Sequence, residues 1–187
     1  MDIIKTPRLI LRPLNKTDYQ NWHDAYSGLG PARNPYDEGA LKEKYLSRKI
    51  FNELLKTQAQ ERKLDQAYAF GVFDRNDGVL IGIVRLMDIS RGIFQNAYLG
   101  YRIFHHYWGQ GFATEACLAV IKYAFKNYRL HRIEAGIHPS NKASIKVAKK
   151  MKMRFEGVSK KRLIWQGRWT DMRIYALTKE DLKSSPR

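Results

Sequence analysis

Tyr107-Trp108-Gly109-Gln110-Gly111-Phe112-Ala113-Thr114-Glu115-Ala116 is the stretch that decides how this chain is read. Two glycines one residue apart run straight into apolar residues at Ala113, Cys117, Val120, Ile121 and Ala124, the 3.6-residue stripe of an amphipathic helix. A helix start exposes unpaired N–H groups and the positive end of the dipole. Glycines beside it leave that end open, so a phosphate can reach the N–H groups. The segment reads as a pyrophosphate cradle, and a plain tight turn before a helix is the alternative.

Working outward, Asn96 to Phe104 reads as a strand before the glycines and Arg132 to Ile137 as a strand after the helix. Two strands joined by a crossover helix lie parallel. A helix over Asn141 to Lys152 follows, then strands at about Arg154–Ile164 and Thr170–Leu177 around the turn Trp165-Gln166-Gly167-Arg168-Trp169. Upstream, Arg8-Leu9-Ile10-Leu11-Arg12 alternates as a strand and Pro13 ends it. Thr17-Asp18 is placed to cap a helix through about Tyr26, and Gly28 to Pro35 is a loop of breakers. A long amphipathic helix is expected from about Gly39 to Leu64, burying Leu41, Tyr45, Phe51, Leu54 and Leu55. Ala67–Phe73 and Val79–Arg85 form a hairpin whose turn contains Asp77-Gly78. The fold class is α/β, a single domain over residues 1–182 with a short tail at 183–187.

With 187 residues, 44% hydrophobic and 28% charged, the composition is that of a globular domain able to bury a full core. No apolar run reaches membrane-spanning length, and the first seven residues lack a signal-peptide pattern. The lone cysteine, Cys117, excludes an internal disulfide. These features fit a cytoplasmic protein with no membrane partner. The net charge of +16 attracts anions, whether nucleotide phosphates, RNA or an acidic protein surface, without choosing between them.

The element order, with Gly109-Gln110-Gly111-Phe112-Ala113 after one strand and Asn141-Lys142-Ala143-Ser144 after the next, resembles the GNAT superfamily of acetyl-CoA-dependent N-acetyltransferases. Within it the chain is most similar to the ribosomal-protein alanine N-acetyltransferase branch. Thr6-Pro7-Arg8-Leu9-Ile10-Leu11-Arg12, Tyr98-Leu99-Gly100-Tyr101, Leu130-His131-Arg132-Ile133-Glu134-Ala135 and Gly167-Arg168-Trp169-Thr170-Asp171 carry that likeness. Trp108 stands where the superfamily's phosphate motif usually begins with Gln or Arg, and Lys152-Met153 replaces a common Gly-Phe pair. The loop from Ser27 to Tyr36 departs from the ribosomal enzymes near the acceptor site.

The resemblance implies a mixed, mostly antiparallel sheet whose central parallel pair splays around acetyl-CoA, the co-substrate. Gly109, Gln110, Gly111, Phe112, Ala113 and Thr114 would hold its diphosphate. Tyr101, Ile103 and Phe104 would line the gap that the pantetheine arm fills, and Asn141 would hydrogen-bond that arm. Ser144 matches the position from which a serine protonates the departing thiolate, or else is a plain helix-surface serine. Glu134 and His138 share a strand face with Gly136; Glu134 is a base candidate for the amine, or else the partner of a nearby arginine. Trp165 and Trp169 flank a turn that would overhang the acceptor, or form a cross-strand packing pair. Lys142, Lys146, Lys149, Lys150, Lys152 and Arg154 would meet the 3′-phosphate of coenzyme A or ribosomal RNA, or form a merely solvated face. His105-His106 lacks further ligands at metal spacing, so no metal is expected. The expected acceptor is a protein N-terminal α-amine such as that of a ribosomal protein, with a ribosome contact through the basic surface. A small-molecule amine is the alternative acceptor, and a non-catalytic basic ribosome- or RNA-associated protein the alternative class. A monomer and a homodimer are both compatible with the sequence.

Overall fold

In the computed structural model, which describes residues 2–183, one eight-stranded sheet runs through the molecule in the order β1-β2-β3-β4-β5-β6-β8-β7. The strands are β1 (Ile4–Lys5), β2 (Leu9–Arg12), β3 (Tyr68–Asp74), β4 (Leu80–Ser90), β5 (Asn96–Ile103), β6 (Arg132–Ile137), β7 (Arg154–Trp165) and β8 (Arg168–Thr178). Every neighbouring pair is antiparallel except β5 and β6. The helices are α1 (Tyr19–Ser27), α2 (Arg48–Lys63), α3 (Phe112–Asn127), α4 (Lys142–Lys150) and α5 (Lys179–Lys183). The mixed sheet with a single parallel pair is the expected architecture. The expected tail beyond Lys183 lies outside the described residues.

Helices cover both sheet faces, and the apolar spacing of each decides which face it takes. The stripe of α3 buries Ala116, Cys117, Val120, Ile121, Ala124 and Phe125 against Leu9, Leu11, Phe70, Val84, Leu99 and Ile133 of the sheet. On the other face, Trp22 and Tyr26 of α1 and Phe51 of α2 pack with Leu46, Leu80 and Phe104. Full burial of side chains this large contributes roughly 1.5–3 kcal/mol each.

The start of α1 is set by charge. Asn15 accepts from the Thr17 N–H at 2.8 Å, and buried Asp18 accepts a two-pronged contact from Arg12 at 2.6 and 2.7 Å. A short 3-10 turn at Lys16–Asp18 therefore precedes α1.

The long helix expected from Gly39 is not formed. α2 begins at Arg48 with Ser47 as its cap, preceded by a 3-10 turn at Glu43–Tyr45, and Tyr45 is half-exposed instead of buried. The cause is upstream. Asp37 is buried and takes His105 Nδ1 at 2.8 Å, the Arg33 N–H at 3.0 Å and the Gly39 N–H at 3.4 Å. Gly39 adopts φ +63°, and the Leu41 N–H donates to the Tyr26 carbonyl. These bonds hold the start of the expected helix, from Gly39 to Leu41, in a non-helical path. Two smaller differences are the added strand β1 and the continuation of β4 to Ser90.

Candidate active site

The parallel pair is short. Asn96, Ala97 and Tyr98 sit opposite Arg132, Ile133 and Glu134, and no pairing continues beyond them. From Leu99 and Ala135 onward the strands diverge into a wedge. The Phe104 N–H donates across to the Ile81 carbonyl at 2.9 Å, toward β4. Backbone groups alternate along a strand, so those of Tyr101 and Ile103 turn the other way, into the wedge. There the Ile103 carbonyl accepts the Trp108 indole N–H at 2.6 Å, which ties the glycine loop to the end of β5.

The glycine loop has the conformation its sequence anticipates. Gly109 has φ +79° and Gly111 φ +85°, both left-handed, and Gly111 caps α3 without any side-chain hydrogen bond. Among the described residues, the N–H groups of 109–114 donate to no protein acceptor, and the first paired group is Glu115, bound to the Gly111 carbonyl. Arg8 braces the loop from β2's approach. Its guanidinium donates to the Gln110 carbonyl at 2.9 Å and to Glu115 at 2.6 and 2.7 Å, and lies 4.3 Å from the centre of the Phe112 ring. Free N–H groups, a helix dipole and a guanidinium at one end of the wedge suit a diphosphate.

The helix-covered face of the wedge holds Tyr101 and Ser144. Asn141 caps α4 by accepting the Ser144 N–H at 3.0 Å. That bond uses the Asn141 carbonyl and leaves its amide N–H groups available. It also fixes the first turn so that the Ser144 hydroxyl faces Tyr101. Burial pushes the Tyr101 phenol up, and Ser144 opposes that rise only in part. Tyr101 is thus held protonated. Cys117 is fully buried on the α3 stripe, where burial raises its thiol; it is a core residue.

Two of the anticipated residues have other occupations. The Phe104 ring is buried against Tyr26 at 5.0 Å, and its N–H is committed to Ile81. Glu134 stands at the closed vertex of the wedge. Arg132 Nε donates to it at 2.8 Å and Asn96 at 3.5 Å, with Tyr98 also in contact. Burial pushes this carboxyl up, but the bonds from Arg132, Tyr98 and Asn96 outweigh it and hold the group below the usual carboxylate range.

The opposite face carries a cluster that no local pattern announces. The loop at 36–39 crosses the mouth of the wedge. On the β6 side, the Tyr36 hydroxyl contacts His138 Nδ1 at 2.7 Å and also Ser140 Oγ, while the Tyr36 ring stacks on Trp165 at 5.7 Å. On the β5 side, Arg102 donates to Glu38 and to the Gly39 carbonyl at 3.3 Å. Tyr36 and His138 are 102 positions apart, and Arg8 and Gln110 are equally remote, which is why sequence spacing gave no signal for either link. Trp169 is exposed at the far end of the β7–β8 hairpin. Of the basic cluster, Arg154 is engaged with Asp181 and Glu156, and the five lysines are exposed. No group of metal-ligating residues exists among the described residues, and no helix there is long and apolar enough to cross a membrane.

A strand pair opened into a wedge, with a left-handed glycine loop leading into a helix at its edge, is the arrangement implied by the resemblance to the acetyl-CoA-dependent N-acetyltransferases. Residues 8–154 match the acetyltransferase (GNAT) domain family, and the chain belongs to it. It is 40% identical over 126 residues to the probable N-acetyltransferase YjcK of Bacillus subtilis, covering 67% of this chain and 70% of that one. It is 30% identical over 178 residues to the [ribosomal protein uS5]-alanine N-acetyltransferase of Escherichia coli, covering 95% and 91%. The structure of Mycobacterium smegmatis RimJ in complex with CoA-disulfide superposes with a TM-score of 0.82 at 25% identity, covering 98% of this chain and 90% of that one. The protein is an N-acetyltransferase that uses acetyl-CoA. The alternative class of a non-catalytic binding protein is set aside.

Proposed function

We propose that the protein acetylates a protein N-terminal α-amine, such as that of a ribosomal protein. The observation that carries this is the near full-length similarity to the uS5-alanine enzyme, which spans both the cofactor end and the acceptor end of the fold. The net charge of +16 agrees, because it draws in an N-terminus borne on an RNA particle and repels a polycation. On this reading the basic surface, including the lysines of α4, engages the ribosome.

Acetyl-CoA supplies a thioester. The chain's residues hold it, polarise it and move protons. The N–H groups of Gln110, Gly111, Phe112, Ala113 and Thr114 bind the diphosphate, with Gly109 keeping the approach open. The amide of Asn141 anchors the pantetheine arm, and backbone groups of Tyr101 and Ile103 line the wedge it enters. Ser144 gives its hydroxyl proton to the thiolate and recovers one from solvent, with the buried Tyr101 phenol beside it. Glu134 is assigned to holding the wedge vertex as an ion, in place of the base role.

One observation favours a small-molecule amine instead: the crossing of Tyr36 to Gly39 narrows the acceptor mouth. Thiol release with acetyl-CoA against a panel of alanine-first peptides and small amines separates the readings. Turnover of peptides supports the first, and turnover of small amines alone supports the second.

A further inference from the structure

We infer that Tyr36 and His138 form the relay that takes the proton the acceptor ammonium must lose. The inference rests on the acetyl-transfer reading and adds to it the route on the acceptor side.

The wedge has two faces with different chemistry. Tyr101 and Ser144 lie on the face covered by α3 and α4. Side chains at 134, 136 and 138 point the other way, because Ile133, Ala135 and Ile137 fill the helix face. On that second face Glu134 is committed at the vertex to Arg132. Gly136 presents no side chain and is exposed, and an added Cβ there would meet nothing nearer than 3.9 Å. An open floor thus lies between the vertex and His138 at the mouth.

The hydrogen bonds around His138 define its tautomer. The Ser140 backbone N–H donates to Nδ1 at 3.1 Å, and a backbone N–H can only donate. Nδ1 therefore carries the lone pair, and in the neutral ring the proton sits on Nε2. The Tyr36 hydroxyl lies 2.7 Å and the Ser140 hydroxyl 2.9 Å from the same Nδ1, and the two hydroxyls contact each other. In the relay the more acidic Tyr36 phenol donates to Nδ1, Ser140 donates to the Tyr36 oxygen, and that oxygen keeps one lone pair for the acceptor. The groups placed against the ring are Tyr36 from the crossing loop, Ser140 from its own turn and Trp165 from β7, none of them charged. Tyr36 is held in place because Asp37, the next residue, is anchored to His105 inside the protein.

The transfer balances within these atoms. An N–H bond of the ammonium breaks, and its electron pair stays on nitrogen as the nucleophilic lone pair. The released proton bonds to the Tyr36 oxygen while the original Tyr36 O–H breaks and a new N–H forms on His138 Nδ1, which gives up its bond from the Ser140 backbone N–H as it is protonated. The imidazolium later returns its proton to solvent. An imidazole is the side chain suited to this near neutral pH, and a carboxylate already held ionised by arginine is not.

The test uses Tyr36→Phe and His138→Gln in the full chain. Nitrogen NMR of the substrate-free protein should show the Nε2–H tautomer for neutral His138; the Nδ1–H tautomer would overturn the relay. With an alanine-first peptide, each variant should lose roughly 10²-fold in kcat near neutral pH. Each should recover as pH rises past the amine's own pKa, about 7.7–8.0. Calorimetric affinity for coenzyme A should not move. An unchanged kcat, or a loss equal at every pH, overturns the relay. If the wild type turns over only small amines, the α-amine reading fails, and the same profile on that amine judges the relay. If His138→Gln does not fold, Tyr36→Phe decides, since it removes a single oxygen.

Discussion

Gly111→Ala tests the phosphate cradle with a perturbation whose size can be worked out beforehand. Gly111 sits at φ +85°, where an L-residue costs about 1–2 kcal/mol. Its new Cβ would meet only the Arg8 guanidinium, at 3.5 Å, which is ordinary contact. The fold therefore bears the backbone strain and no clash. For a chain of this size that lowers Tm by roughly 2–8 °C. Binding loses separately, because the helix start that the cofactor needs is the conformation under strain and the methyl group borders the free N–H groups. A further 1–2 kcal/mol there weakens coenzyme A by roughly 5–30-fold. Gly78→Ala is the control. Gly78 lies in the β3–β4 turn at φ +74° with nothing within 4 Å, so it carries the same strain far from the wedge. Calorimetric titration with coenzyme A should show weakening for Gly111→Ala and none for Gly78→Ala, at matched losses of Tm. Equal affinities in the two folded variants would refute the cradle.

Ser144→Ala should lower kcat by about 10²-fold and leave coenzyme A affinity unchanged, as the removal of a general acid does; an unaltered kcat would return Ser144 to a plain helix position. Glu134→Gln should cost about 1–3 kcal/mol at neutral pH, because Arg132 loses a charged partner. The carboxyl lies below its ordinary 4.5 in the fold, so its contribution is present above that value and lost as pH falls through the folded one. Melting curves should therefore decline less below about pH 4.5 in Glu134→Gln than in wild type, while the ascending limb of the rate profile stays in place. Asp37→Ala leaves the buried His105 ring and the Arg33 and Gly39 N–H groups without their acceptor and should cost about 1–3 kcal/mol. It should raise the acceptor KM with coenzyme A affinity held, and an unmoved acceptor KM would separate the crossing loop from the acceptor.

The elements of the site that were legible in the sequence are those made by neighbours along the chain. Gly109 and Gly111 announce a left-handed turn into α3 because few other residues tolerate it. Asn141 opens the helix expected from the sequence, and the bond that caps its first turn joins residues only three apart. The hairpin turn at Asp77-Gly78 was readable for the same reason. Most of what stayed hidden depends on contacts between distant segments. The break of the expected helix at residues 39–47 follows from burial of Asp37 against His105, 68 positions away. The occupation of Glu134 by Arg132 was open in the sequence, since strand alternation gave only the shared face. The relay partner of His138 arrives from a loop whose composition says only that it is irregular. Phe104 turns its N–H to β4 and its ring into the second core, one step of strand alternation from the wedge-facing backbone of Ile103, and that step depends on tertiary pairing.

The central claim concerns the acceptor nitrogen, and one measurement addresses it directly. Purified protein is incubated with acetyl-CoA and a peptide that begins with alanine and also contains an internal lysine, in parallel with spermidine, and the acetylated nitrogen is located by fragment mass spectrometry. At neutral pH an α-amine is neutral in a fraction several hundred-fold larger, roughly, than a lysine amine. The account predicts one acetyl group on the α-nitrogen of the peptide, with the lysine untouched and spermidine turned over poorly. Efficient acetylation of spermidine, with no acetyl on the α-nitrogen of any peptide, would contradict it.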